Sequence, residues 1–220
     1  MAELAVRLGG ASSCDRRGRV VFWDSFQAGL GAWALVSLGG VDLIQMVGNP
    51  CASPGGAVEM HMGVPIDQVC SLQRWSGARR LGRTGVEVRF CHDVSLAQLQ
   101  VAVNSSDGVT QLYGQMNIDI GAGTLSYRNS VGGDTEFEHA LALHVDPTLF
   151  HTAKLVIDAS RGEYVRFLLD SIEYDLRGIG CHPIVPMLAP SEYCFFLAGN
   201  IPGEETYLYL DNVIMTREDE

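Results

Sequence analysis

Long hydrophobic runs are missing from this 220-residue sequence, because Gly, Asp, Arg or Pro interrupts each of them. A membrane-spanning helix needs about 20 consecutive apolar residues, so we expect no membrane insertion. The start of the chain also lacks the basic segment and apolar stretch of a secretory signal peptide, since Glu3 and Arg7 divide a short apolar run. We therefore expect synthesis in the cytoplasm without signal-dependent export.

Positive charge is scarce. The chain has 15 Lys and Arg residues against 26 Asp and Glu residues, which gives a formal net charge of −11. The resulting field repels phosphate backbones, so we expect no nucleic-acid partner. Hydrophobic residues make up 47% of the chain and charged residues 19%. This composition excludes a disordered chain and predicts a globular protein with a packed core.

Common catalytic and metal-binding motifs are absent as well. The six histidines are scattered singly, no Gly-x-Ser-x-Gly occurs, and none of the six cysteines forms a Cys-x-x-Cys pair. A domain of this size does not need disulfide bonds, so mostly buried thiols are the favoured interpretation. The alternative is one or more bridges, and Cys51–Cys70 is then the preferred pair.

What the sequence does contain is a series of short alternating runs separated by turn residues. In Val86–Phe90, for example, apolar side chains alternate with Glu87 and Arg89, which is the period of a half-buried strand. The same reasoning predicts strands over residues 99–103, 115–120, 124–128, 154–158, 163–169, 171–176 and 206–215.

The arrangement of these runs predicts the fold class. We expect 86–90 and 99–103 to be neighbouring strands, 115–128 to form a hairpin and 154–176 to form a meander. Helical periodicity is limited to 95–100 and 148–151, which is too short for more than a turn or two. Strands with Gly-rich turns and no βα alternation indicate an all-β, antiparallel two-sheet β-sandwich. We assign residues 20–220 to this single domain and residues 1–19 to an N-terminal arm.

Two segments near opposite ends of the chain resemble the concanavalin A-like, or laminin G-like, jelly-roll superfamily, which includes carbohydrate-binding modules. Val21–Phe26, followed by Trp33, is similar to its opening strand, and Tyr207–Val213 is similar to its closing strand. The resemblance implies that these two strands pair. It also implies a structural calcium ion near their ends, with Asp24 and Asp211 as its candidate ligands. The alternative is that each Asp hydrogen-bonds a turn or faces water.

Glycosidases with this type of fold carry their carboxylates on one strand, in Glu-x-Asp-x-x-Glu or Glu-x-Asp-x-Glu spacing. No such run occurs here. The nearest segments contain Glu173 and Asp175, which share a strand face, and Glu136 and Glu138, which have the pattern of a solvated strand.

Aromatic residues beside polar ones provide the remaining candidate site. Trp75, Tyr113 and Tyr127, together with Arg128, have the composition of a flat platform for a sugar ring. The competing interpretation is that these aromatics are ordinary strand residues, as we expect Trp23 and Trp33 to be core residues.

Three functions follow, in order of preference. The first is a non-catalytic structural or assembly protein on a virion surface, such as a decoration, tail or fibre component, with protein neighbours in a homo-oligomer or larger assembly. The absent catalytic motifs and the N-terminal arm favour it. The alternative is a lectin-like carbohydrate-binding module with a glycan partner, and the third is a glycoside hydrolase-like enzyme.

Overall fold

A computed structural model describes Asp15 and residues 17–38, 43–53, 55–64, 69–76, 81–93, 96–146, 148–185, 190–200 and 203–219. Residues 1–14 and 16, which make up most of the predicted arm, lie outside this part. The described residues form β-strands and no helix, so none of them belongs to a helix that is long and apolar enough to cross a membrane.

The strands, in chain order, are β1 (Arg19–Asp24), β2 (Ala34–Leu38), β3 (Leu43–Val47), β4 (Ala57–Met62), β5 (Val69–Trp75), β6 (Arg83–His92), β7 (Leu96–Ser106), β8 (Gln111–Asp119), β9 (Thr124–Arg128), β10 (Asp134–Glu138), β11 (His151–Asp158), β12 (Glu163–Leu169), β13 (Ile172–Asp175), β14 (His182–Ile184), β15 (Ser191–Asn200) and β16 (Thr206–Arg217).

These strands form two antiparallel sheets of eight strands each. The order in the first sheet is β13-β12-β11-β6-β16-β4-β3, with β1 also paired to β16. The order in the second sheet is β10-β9-β8-β7-β15-β5-β2, with β14 paired to β8. The structure therefore confirms the predicted all-β, two-sheet antiparallel sandwich.

The core lies between the two sheets and follows the alternation seen in the sequence. Val86, Val88 and Phe90 of β6 are fully buried, and so are Leu99 and Val101 of β7. All five belong to one hydrophobic cluster that both sheets share. Because one face of each sheet is apolar, stacking the two faces removes both from water.

Several local predictions are confirmed. β8 and β9 form the predicted hairpin, and β11, β12 and β13 form the predicted meander. The first and last strands pair, as the family resemblance implied, with Trp23 opposite Ile214 and Asp24 opposite Val213.

Other local predictions are wrong. β6 and β7 are not neighbours in a sheet, because the chain crosses from the first sheet to the second between them. Residues 96–100 belong to strand β7 and not to a helical turn. Trp33 is a core residue, but Trp23 is not among the buried hydrophobic residues, because it lies opposite Ile214 on the strand face turned away from Val213 and Met215.

Five of the six cysteines lie in the described part of the chain. Cys51 is exposed, and Cys70, Cys91, Cys181 and Cys194 are buried thiols. Cys70 Sγ lies 3.7 Å from the carbonyl oxygen of His61, to which it donates a weak hydrogen bond. The alternative Cys51–Cys70 bridge is therefore not formed.

Candidate functional site

The candidate site is on the outer face of the second sheet, and strand alternation determines which side chains reach it. In β15, Cys194 and Phe196 point into the core, so Tyr193 and Phe195 point outward. The strand register places Tyr193 beside Trp75 of β5 on one side and beside Asn104 of β7 on the other. The next strand, β8, adds a further outward-facing aromatic residue opposite Asn104.

Four aromatic rings on this face form a continuous series, which we call the aromatic row: Trp75, Tyr193, Phe195 and Tyr113. The ring centroids of Trp75 and Tyr193 are 4.4 Å apart, and those of Tyr193 and Phe195 are 6.2 Å apart. Phe195 and Tyr113 are stacked at 5.6 Å with an interplanar angle of 10°. These separations are typical of favourable aromatic pairs, so the rings hold one another in place.

The aromatic row borders a cavity of about 460 Å³. Its described lining combines apolar side chains with a few polar ones: Val36, Val69, Ser71, Gln73, Asn104, Tyr113, Arg128, His182, Ile184, Tyr193, Phe195 and Leu197. An apolar cavity with few, fixed polar groups is the usual form of a small-ligand site.

Amide and hydroxyl groups beside the aromatic row form a hydrogen-bonded ladder. The Tyr113 hydroxyl donates to Gln115, whose amide donates to Asn117. Asn117 Nδ2 in turn donates to Ser126 Oγ at 3.1 Å. Because each group is held by its neighbour, the ladder presents oriented donors and acceptors and not mobile ones.

Asn104 occupies a distinctive position in the cavity wall. Its side chain is fully buried, and its Oδ1 accepts a hydrogen bond from Gln111 Nε2 at 2.8 Å. Burial raises the pKa of the Tyr193 hydroxyl, and the nearby Asn104 amide opposes that shift. Asn104 Nδ2 nevertheless has no partner at hydrogen-bond distance and angle, so it is a buried donor without an acceptor. A donor in this condition is stabilised when a ligand supplies an acceptor.

The charge of Arg128, at the edge of the cavity, is already offset. Its Nη1 donates to the carbonyl oxygen of Gly132 at 2.6 Å, and its Nε lies 3.2 Å from Asp134 Oδ1. Burial also raises the pKa of Tyr113, so this phenol is neutral at physiological pH. The site therefore presents mainly uncharged groups.

The structure brings together three of the four residues that the sequence analysis proposed for a platform. Trp75, Tyr113 and Arg128 face the same side of the second sheet, although Trp75 is at the end of the row. Tyr127 does not join them, because it lies opposite Met116 on the core face and contacts Tyr164 at 5.8 Å between ring centroids.

The sequence did not predict Tyr193 and Phe195, the two central members of the row, as platform residues. Ser191–Asn200 alternates between half-buried and buried positions in the structure, but Phe195 and Phe196 are adjacent in the sequence, so composition alone does not show which of them faces outward.

Comparison with solved structures gives many similar folds at low sequence identity. A sialidase aligns with 92% of this chain at 12% identity and a TM-score of 0.57, although this chain spans only 19% of the sialidase. The potassium-bound carbohydrate recognition domain of Emp46p aligns with 90% of this chain at 10% identity and a TM-score of 0.52, over 93% of its own length. A β-glucanase from Bacillus licheniformis aligns with 89% of this chain at 10% identity and a TM-score of 0.51, over 97% of its own length.

The fold is the concanavalin-like jelly roll. Neither the protein-family models nor the curated protein sequences give a match to this chain. At these identities the likeness establishes the fold alone.

Within this jelly roll, Asp24 and Asp211 are bonded to hydrogen-bond donors. Asp24 accepts hydrogen bonds from the backbone N–H of Phe26 at 2.7 Å and from Trp33 Nε1 at 2.9 Å. Asp211 accepts from the backbone N–H groups of Ala52 and Ser53 and from Ser53 Oγ.

A calcium ion needs oxygen ligands, whereas N–H and O–H donors point at these carboxylates, so the two residues as arranged do not fit the implied calcium. Burial also raises the pKa of Asp211 and outweighs the lowering effect of its hydrogen bonds. The net shift disfavours the charged carboxylate. No group of three or more His, Cys, Asp or Glu side chains suited to a metal ion occurs among the residues that the structure describes.

Glu173 and Asp175 lie together on β13, in a second cleft that also contains arginine side chains. Arg17 binds Glu173 and lowers its pKa, and Arg177 lowers the pKa of Asp175 to about 2. A glycosidase needs one carboxyl group with a raised pKa to act as the acid. In Glu173 and Asp175 the pKa is lowered instead, so neither residue has the raised pKa of a catalytic acid.

Proposed function

We propose that the outer face of the second sheet binds carbohydrate and that the chain acts as a non-catalytic, lectin-like module. The observation that carries the proposal is the aromatic row beside a cavity whose polar groups are chiefly amides and hydroxyls. Sugar rings present apolar C–H surfaces edged by hydroxyl groups. Aromatic side chains match the first feature, and groups that both donate and accept hydrogen bonds match the second.

The structural neighbours add support at the level of fold. They include a carbohydrate recognition domain and a β-glucanase, whose names state a connection with carbohydrate. Jelly rolls also serve many unrelated functions, so carbohydrate binding is inferred from the site, and the neighbours are consistent with it.

Binding is favoured over hydrolysis because of what lines the cavity. Glycoside hydrolysis ordinarily uses a pair of carboxyl groups on either side of the scissile bond. Among the described residues that line this cavity, none is Asp or Glu. The carboxylates nearest to hydrolase spacing, Glu173 and Asp175, lie on β13 in the first sheet.

Glycan-array binding with two variants tests the proposal. Trp75 is 42% exposed, so Trp75→Ala removes a ring with little effect on folding, and Tyr193→Ala removes the next ring in the row. We expect each variant to lose at least about tenfold in affinity, or roughly 1.4 kcal/mol. The matched control is Tyr207→Ala, which removes a partly exposed aromatic residue from the first sheet.

Equal retention of the wild-type protein and both row variants, or no retention of the wild type on any glycan, would refute the proposal. The assembly role on a virion surface, which the sequence analysis placed first, stays a prediction. It does not conflict with glycan binding, because a surface protein can do both.

A further inference from the structure

We infer that the aromatic row recognises an uncharged oligosaccharide and that Asn104 Nδ2 donates a hydrogen bond to it; this inference rests on the proposed carbohydrate-binding function. Three observations support it: the charge of the outer face, the unmet donor of Asn104 and the width of the row.

The first observation is the absence of charge over the middle of the face. The strand register identifies the outward positions of the four central strands β5, β15, β7 and β8. The first three levels of outward positions, counted from Asn104 toward the opposite end of the sheet, contain no charged side chain among the described residues. They are Trp75, Tyr193, Asn104 and Tyr113, then Gln73, Phe195, Ala102 and Gln115, then Ser71, Leu197, Gln100 and Asn117.

Among the described residues of this face, charged side chains occur only at its margin. Arg128 and Asp134 lie on β9 and β10 and are paired with each other, and Asp119 is at the far end of β8, where it accepts a hydrogen bond from the backbone N–H of Ala122. A sugar carboxylate or sulfate bound over the centre would therefore lose water without gaining an unengaged cation. Burying an unpaired charge is far more costly than burying a hydroxyl that finds a partner.

The second observation is Asn104, whose Nδ2 is buried in the cavity wall without an acceptor. Its other amide atom is held by Gln111, so the group cannot simply rotate without breaking that bond. A sugar hydroxyl or ring oxygen can accept from this donor, whereas an aliphatic or purely aromatic ligand would leave it unsatisfied. The site therefore discriminates against apolar ligands as well as charged ones.

The third observation is the width of the row, which crosses four adjacent strands. Neighbouring strands are about 4.7–4.9 Å apart, so Trp75 and Tyr113 are about 14 Å apart across the sheet. This span is longer than one sugar ring, which is why an oligosaccharide fits better than a monosaccharide.

The experiment compares neutral oligosaccharides (gluco-, manno- and xylo-oligomers) with acidic ones (uronic acid, sialylated and sulfated oligomers) on the same array. Affinity for the best ligand is then measured by calorimetry at low and high NaCl. We expect retention of neutral oligomers only, and an affinity that does not change with salt, because screening acts on charges. We also expect Asn104→Asp, which keeps the shape but replaces the donor with an acceptor, to weaken binding at least about tenfold.

Preference for acidic oligomers, or affinity that falls with salt, would overturn this inference and leave the carbohydrate-binding function standing. Failure to retain any oligomer would end both. Because Asn104→Asp buries a new acidic group, its thermal melting is measured alongside; if the variant does not fold, the salt and array results on the unchanged protein still decide the ligand class. Undiminished binding by a folded Asn104→Asp protein would remove Asn104 from the inference.

Discussion

His151, at the start of β11, has a hydrogen-bond acceptor at each ring nitrogen. Its Nδ1 lies 2.8 Å from Asp170 Oδ2, and its Nε2 lies 3.2 Å from the carbonyl oxygen of His144. A neutral imidazole has one donor only, so both bonds form only when the ring is protonated. Burial lowers the pKa of His151, but these hydrogen bonds and the Asp170 charge outweigh it and raise the pKa above the ordinary 6.5.

Its histidine neighbours differ in their surroundings. The ring of His92 lies 6.2 Å from that of His151 and is fully buried, which lowers the pKa of His92 although its Nδ1 faces the carbonyl oxygen of Asp93 at 2.6 Å. His144 is exposed and stacks on His151 at 6.1 Å. Of these two buried rings, His151 therefore holds a proton more strongly than His92 does.

We predict that Asp170→Asn lowers the free energy of unfolding by about 1 kcal/mol at pH 6, with a smaller loss at pH 8.5. The raised pKa of His151 means that its stabilisation is complete below 6.5 and is lost as pH rises through the folded-state pKa. The pKa of Asp170 is lowered, because the His151 hydrogen bond outweighs burial, so its own contribution is lost only in acid. Urea unfolding at both pH values measures the difference, and a loss that is the same at both would contradict the prediction.

At the scale of single residues, the sequence predicted an aromatic platform but not which side chains share one face of a sheet. Tyr127 and Arg128 are adjacent, and because strand residues alternate, only one of them can be on the outer face of the second sheet. Composition could not decide which one, since the answer depends on the register of β9 against β8. Tyr193 and Phe195 were missed for a related reason: their partners in β5 and β7 are distant in the sequence.

Whole strands were easier to predict than single contacts. An alternating run such as Val86–Phe90 shows where a strand lies and which of its faces is apolar. It does not show which sheet the strand joins, because both sheets bury an equivalent apolar face. This is why β6 and β7 were expected side by side and are instead in opposite sheets.

Gly114 of β8 marks a close approach between the two sheets. A Cβ atom at this position would lie 2.6 Å from Ile157 Cγ2 of β11 and 3.4 Å from a ring carbon of Tyr164 of β12. We predict that Gly114→Ala lowers the free energy of unfolding by about 1–3 kcal/mol, because an added carbon in a packed core forces its neighbours to shift.

Urea unfolding of Gly114→Ala measures this cost, and Gly82→Ala is the matched control. Gly82 lies directly before β6, and a Cβ atom there would meet nothing within 4 Å. The control should stay within about 0.5 kcal/mol of the unchanged protein. Equal stability of the two variants would show that the sheets are less tightly apposed at Gly114 than the structure indicates.

At the scale of the whole molecule, the sandwich was predictable but the way in which the chain ends are held was not. Asp15 lies in the segment that was interpreted as an arm, yet its side chain is buried against Lys154 of β11 and Arg166 of β12. Asp219, near the other end, contacts the same two cations. These partners are 53 to 151 positions apart in the sequence, so no local pattern relates them.

The four residues form a buried network with two positive and two negative charges. Lys154 Nζ lies 3.0 Å from Asp15 and 2.7 Å from Asp219, and Arg166 lies 2.8 Å from Asp15 and also donates to Asp219. Burial would raise the pKa of Asp15, but hydrogen bonds from Arg17, Arg166 and Lys154 lower it well below its usual range. Both ends of the described chain are thereby tied to the meander of the first sheet.

We predict that Asp219→Asn destabilises the protein by about 3–5 kcal/mol, because it leaves two buried cations with one carboxylate. The adjacent Glu218→Gln is the control. The Glu218 side chain is 79% exposed and lies 4.0 Å from Arg19, so its loss should change the free energy of unfolding by less than about 1 kcal/mol. Urea unfolding at pH 7 compares the two variants. If both substitutions lower the free energy of unfolding by the same small amount, the buried charges contribute little to the fold. The two ends of the described chain are then held by the β1–β16 pairing alone.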